Sequence, residues 1–111
     1  MMTLSIREPH IGDILAGHKR IENRTWRLRA LPARLALHRS RAGNPAGAGM
    51  VVATVTVAEI LPAAEALARF PDQRPYITGP WCWVLSDLRI LPRPVGPVRG
   101  LPGIFHVALP E

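Results

Sequence analysis

This chain has little of what most catalytic and metal-binding centres are made from. Cys82 is its one cysteine in 111 residues, so no internal disulfide can form and a cysteine-based structural zinc site is excluded. Between Trp81 and Trp83 in an apolar run, Cys82 reads as a packed small hydrophobe and not as a nucleophile. His10, His18, His38 and His106 fall at no metal-ligand spacing, and neither metal nor cofactor is expected. There is no G-x-S-x-G elbow, P-loop or dinucleotide fingerprint. The longest mostly apolar run, Ala46 to Ala58, is too short to span a bilayer. No secretory leader pattern follows Met1-Met2-Thr3, so a cytoplasmic protein with no membrane partner is the expectation. The sequence has no internal repeat, and its length suits one domain over residues 1–111.

Lysine is scarce too. Lys19 is the sole lysine among 14 Lys and Arg residues. Its compact ammonium stands where a planar guanidinium is this chain's usual choice. It belongs to the most informative stretch, Gly17 to Trp26, which carries Gly17, Lys19, Glu22 and Arg24 at G-x-K-x-x-E-x-R spacing. Read as a strand, this segment sends Glu22, Arg24 and Trp26 to one face and Ile21, Asn23 and Thr25 to the other. A carboxylate, a guanidinium and an indole would share a surface, with Lys19 arriving from the turn before. That mixture suits a planar, polar, partly anionic ligand such as a nucleotide. The charge agrees. Residues 1–41 hold nine Lys or Arg against Glu8, Asp13 and Glu22, whereas the remainder holds five arginines against five acids. Localised basic charge attracts phosphate backbones.

Periodicity predicts strands over Thr3–Arg7, Arg20–Trp26, Ala33–His38, Met50–Val57, Trp81–Leu91 and Ile104–Leu109. Ile11, Ile14 and Leu15 mark a short helix after Pro9, closed by Gly17; a second runs from Pro62 to Phe70. Ser40 to Gly49 reads as a flexible loop. Met50–Val57 is β-branched and almost continuously apolar, as a central strand buried on both faces should be. Pro92, Pro94 and Pro97 suggest a stiff irregular crossing after the fifth strand. The fold class is mainly β with flanking helices, a mixed and mostly antiparallel sheet in a small barrel or curl.

Leu4-Ser5-Ile6-Arg7-Glu8-Pro9, Ile14-Leu15-Ala16-Gly17-His18-Lys19, Ile21-Glu22-Asn23-Arg24-Thr25-Trp26 and Gly79-Pro80-Trp81-Cys82-Trp83-Val84-Leu85 together resemble the ASCH domain family of the PUA-like superfamily. The likeness covers nearly the whole chain, with His10 departing from the aromatic that relatives often carry. It implies a small β-barrel, a cleft holding the motif residues, and RNA or nucleotide ligands. Some relatives hydrolyse the acetyl amide of N4-acetylcytidine and some cleave RNA. The hydrolases are built on a Lys-Thr-Glu triad. Lys19 matches the lysine, Glu22 stands in the threonine's place, and Glu59 is the candidate for the second acid.

Two functional readings follow. In a binding module, Lys19 and Arg24 meet phosphate or a base carbonyl, Glu22 accepts from an exocyclic amine, Trp26 stacks on the base, and Thr25 and Arg7 complete the candidate ligand contacts. Arg7, Arg27, Arg29 and Arg39 then supply backbone attraction. In a hydrolase, Lys19 is the base and Glu22 a proton shuttle, while the Thr25 hydroxyl is turned to the opposite strand face. From residue types alone, Glu22–Arg24 is equally an ordinary ion pair with Trp26 as core. A third reading, an adaptor using Trp81 and Trp83 on a partner-facing surface, is weaker, because tryptophans on a strand face usually pack inward.

Overall fold

The computed structural model describes residues 1–110. The first strand, β1 (Met2–Ile6), buries Leu4 and Ile6 on one face. Helix α1 (His10–Leu15) follows, with Ile11 and Ile14 fully inside, as their one-turn spacing requires. Gly17, at φ +82°, ends it in the left-handed conformation. The reversed chain then lets the His18 and Lys19 amides donate to the Asp13 carbonyl at 3.0 and 3.1 Å. Strand β2 (Ile21–Arg24) is shorter than expected, and Thr25 and Trp26 lie in a bend beyond it.

Strands β3 (Ala33–Arg39), β4 (Val51–Pro62) and β5 (Trp81–Val95) build the centre, and β6 (Ile104–His106) closes the element list. Helix α2 (Ala63–Arg69) and a 3-10 segment, Pro71–Tyr76, join β4 to β5. The 3-10 segment has no counterpart in the sequence reading, because two prolines in six residues mask its short period. The strand order is β2-β5-β4-β3-β1-β6, antiparallel throughout except for the parallel pair β1–β3. Central β4 is interior to the sheet, and Val51, Val55 and Val57 are buried.

Strand β5 runs straight through Pro92 and Pro94, where an irregular crossing was expected. The register explains this. Ala53 pairs with Ile90 and Val51 with Val95, so the prolines fall in a wide bulge where the ladder needs no N–H from them. Further shifts between Thr54 and Thr56 and between Val57 and Glu59 bend the same pair of strands.

The sheet curls but does not close, which corrects the expected barrel. β2 is four residues long, and β6 covers β1 only as far as Leu4, so the edges formed by β2 and the end of β1 never pair. The main core, under the curl, joins Leu4, Ile6, Ile11, Ile14, Leu35, Val55 and Trp83. Trp26 packs edge-on against Trp83, centroids 4.9 Å apart at 90°, and its carbonyl accepts from the Trp83 indole at 3.2 Å. Trp83 is fully buried, and Arg27 covers half-buried Trp81 with its guanidinium 4.4 Å from the ring centroid. Neither tryptophan forms an open partner surface. Among the described residues no helix is long and apolar enough to cross a membrane.

Cys82 is fully buried, and desolvation pushes its thiol pKa up despite the Gly79 amide and the Lys19 charge acting against it. The native protein is expected to be inert to a thiol-specific chromogenic disulfide at pH 8, with one thiol released per chain on denaturation. Rapid labelling without denaturant would contradict this burial.

Candidate functional site

Where the sheet fails to close, a hollow of about 500 Å³ opens between the end of β1 and β2. Its walls include Arg7, His10, Lys19, Glu22, Arg24 and Tyr76. Three of the motif side chains therefore meet, as their spacing suggested. Lys19 and Glu22 are 3 % and 6 % exposed, yet both face this opening. Lys19 Nζ lies 3.5 Å from Glu22 Oε1 and 3.2 Å from His10 Nδ1. Arg24 holds the other carboxylate oxygen, with Nη2 at 2.9 Å and Nε at 3.1 Å from Oε2. The same guanidinium donates through Nη2 to the Ser5 carbonyl at 3.1 Å, crossing from β2 to β1 over the unpaired seam. One carboxylate thus organises two cations, and the ring of Tyr76 sits 5.9 Å from the Lys19 ammonium.

The remaining expected residues fall elsewhere. Thr25 is exposed and Trp26 is packed on Trp83, and neither lines the hollow. The strand ends at Arg24, so the alternation that would have carried Trp26 to Glu22's face stops before reaching it. Arg7 lines the rim and is exposed. Arg39 instead pairs with Glu8, and Arg27 lies on Trp81. Glu59 is remote. It sits on β4, with β5 between it and β2, and makes a two-pronged pair with Arg69 at 2.8 Å through each oxygen. That hydrogen bonding holds its carboxyl pKa below the usual value. Among the described residues, no group of three His, Cys, Asp or Glu side chains could hold a metal ion.

Two residues that the sequence reading passed over set the geometry. Gln73 is 2 % exposed; its Oε1 accepts from the Arg20 amide at 2.6 Å and its Nε2 donates to the His18 carbonyl at 3.0 Å. It clamps the backbone on both sides of Lys19. Asn23, on the motif strand, donates to the Tyr76 carbonyl at 2.7 Å and accepts from the Thr78 and Gly79 amides at 2.9 Å each. It pins the segment that forms the far wall. An exposed pair, Arg20–Asp72 at 2.6 Å, ties the same region from outside and keeps the Asp72 carboxyl below its ordinary pKa. Neither clamp had a local signal: Gln73 lies between Asp72 and Arg74 and Asn23 between Glu22 and Arg24, so the burial that makes these amides bond to backbone arises only from the tertiary fold.

The fold and hollow define a small single-sheet β protein with a charged cleft at an unclosed seam. The chain belongs to the ASCH domain family, whose model matches residues 4–89. No curated protein matches it by sequence. Among solved structures it is similar to the ASCH protein of Zymomonas mobilis, with 20 % identity and a TM-score of 0.61 over 85 % of this chain and 71 % of that one. Tyrosine-to-phenylalanine and serine-to-alanine variants of that Zymomonas mobilis protein match with the same identity and score, covering 73 % and 72 % of those chains. At this identity the likeness shows the fold.

Removing Glu22 leaves two cations without their shared counter-ion. Glu22→Gln is expected to lower stability by about 3 kcal/mol, since uncompensated buried charges are costly. Gln73→Ala should cost about 2 kcal/mol by stranding an amide and a carbonyl. Urea unfolding midpoints at constant m-value check both. Asp72 gives a pH signature. Its depressed pKa contributes stability above the unfolded value, about pH 4, and that contribution is lost as pH falls through the folded value. The stability gap between wild type and Asp72→Asn should therefore be present at neutral pH and close in acid.

Proposed function

We propose that the hollow binds a nucleobase of RNA or of a free nucleotide. The observation that carries this reading is the Lys19–Glu22 ion pair, almost fully buried and yet on the wall of an open hollow of nucleoside size. A buried ion pair is weak evidence for stability, because desolvation offsets most of its attraction. Charged groups that add little to stability and stand on the wall of an open cleft are instead placed to meet a ligand. The donors and acceptor match a base edge. Glu22 accepts from an exocyclic amine, while Lys19 and Arg24 donate to a ring carbonyl or phosphate. Tyr76, half-buried on the wall, supplies the stacking surface, and Arg7 at the rim meets the phosphate. Membership of the ASCH family supports the same reading. A soluble, cytoplasmic setting goes with it.

A second reading rests on His10. Lys19, His10 and Glu22 are three proton-carrying groups in contact at one wall of the hollow. Such a set can relay a proton during cleavage of an acylated nucleoside amide, with Lys19 as base and Glu22 as shuttle.

Titration calorimetry with cytidine, N4-acetylcytidine and their 5′-monophosphates tests both. Lys19→Ala and Arg24→Ala should each weaken binding roughly tenfold or more, the loss of a charge-assisted hydrogen bond, with unchanged circular dichroism. Wild-type affinity in both variants would remove the binding reading. Release of acetate from N4-acetylcytidine by wild type, lost in Lys19→Arg, would establish the hydrolase; nucleoside binding without release leaves the module.

A further inference from the structure

The hollow continues beyond its own rim. Ser5, Ser40 and Ala42 line it and also line a second hollow of about 420 Å³, whose other walls are His38, Arg41, Arg99 and residues 100–102. Two hollows that share three wall residues are adjoining bays of one trough. The floor of the second bay is fixed. His38, 1 % exposed, contacts the Val98 carbonyl through Nε2 at 2.9 Å and the Ser5 hydroxyl through Nδ1 at 2.9 Å. The carbonyl can only accept, so Nε2 donates to it, and the Ser5 hydroxyl fixes the other side of the ring. A Cβ at position 100 would come within 2.8 Å of His38 Cε1, so glycine is what lets the 99–102 segment lie against this floor.

The second bay holds charge that the fold does not use. Arg41 and Arg99 are exposed on its rim, and neither has a carboxylate within 4.0 Å among the described residues. Leu101, 50 % exposed beside them, offers an apolar surface. Taken together, the two bays present Arg7, Lys19, Arg24, Arg41 and Arg99 against the single carboxylate of Glu22. That carboxylate is already held by Lys19 and Arg24, so the net field along the trough is positive.

From this juxtaposition we propose that the trough takes a single-stranded oligonucleotide, one base in the deep hollow with its own 5′-phosphate at Arg7, the following phosphate between Arg41 and Arg99, and the next sugar or base against Leu101. The proposal rests on the nucleobase reading of the deep hollow and adds a ligand length and two phosphate contacts. A stacked duplex does not fit, because Lys19 and Glu22 lie too deep for a base that has not left its partner strand.

The test compares cytidine 5′-monophosphate, a short single-stranded oligocytidylate and a duplex of similar length, by calorimetry and anisotropy over a salt series. The oligonucleotide should bind at least about tenfold tighter than the mononucleotide, because its second contact is intramolecular. The double variant Arg41→Ala/Arg99→Ala should lose that gain, with the salt slope reduced by about 0.7 for each arginine removed, and keep wild-type affinity for the mononucleotide. Equal affinity for the two ligands in wild type, or an unaltered oligonucleotide affinity in the double variant, overturns the trough while leaving the deep hollow intact. Oligonucleotide binding indifferent to Lys19→Ala also overturns it, since no base would then enter that hollow. Tighter binding of the duplex would do the same. Failure of the mononucleotide and the oligonucleotide alike would take down both readings.

Discussion

The Glu22 carboxylate is the group on which this molecule's distinctive chemistry turns. It lies at a seam where a curled sheet stops short of closure, and it holds an ammonium on one oxygen and a guanidinium on the other. Charges near a protein surface attract at about 4 kcal/mol per pair at 4 Å for an effective dielectric near 20. Burying each ion costs several kcal/mol, so one acid paired with one base would gain little. Sharing Glu22 between two bases, with Arg24 also bonded to the Ser5 carbonyl, gives each charged group more than one partner. The guanidinium does the work that a hydrogen-bonded strand edge would do in a closed barrel, and it leaves a cavity where strand pairing would leave none.

Lys19 owes its place to backbone geometry. Gly17 reverses the chain at positive φ, two amides return to the Asp13 carbonyl, and Gln73 fastens the residues on either side. Position 73 is separated from the motif by the whole of β3, β4 and α2, so this support forms only when the tertiary fold does. Asn23 works in the opposite direction, reaching from the motif strand to hold the 76–79 segment. The two amides make the hollow's near and far walls mutually dependent.

How much of this could be read in the amino-acid order depends on the range of the interaction. Strands and helices that alternate cleanly are placed by local pattern: Ala33–Arg39 within one residue of its expected end, α1 by three apolar residues at helical spacing. Lys19, Glu22 and Arg24 come together because they are adjacent to one turn and on one strand face. Trp26 does not join them, because the strand ends at Arg24 and Trp83 offers a better contact. Closure of the sheet could not be read, since it depends on whether two distant edges are long enough to meet. Nor could Glu59's distance from the motif, which follows from the insertion of β5 between β4 and β2. The charge map changed in the same way. The first 41 residues do carry the excess basic charge, but Arg99 from the far end of the chain comes to stand beside Arg41.

The wide bulge of β5 has a bearing on how copies of this protein behave toward one another. Past its pairing with β2, β5 leaves a margin that carries Ile90 at 55 % exposure, the kind of feature that invites another chain to add itself as a strand. Pro92 and Pro94 strip donors from that stretch, and the bulge breaks its flatness. The stretch thus lacks, within the monomer, both the donors and the flatness that fibrillar stacking uses.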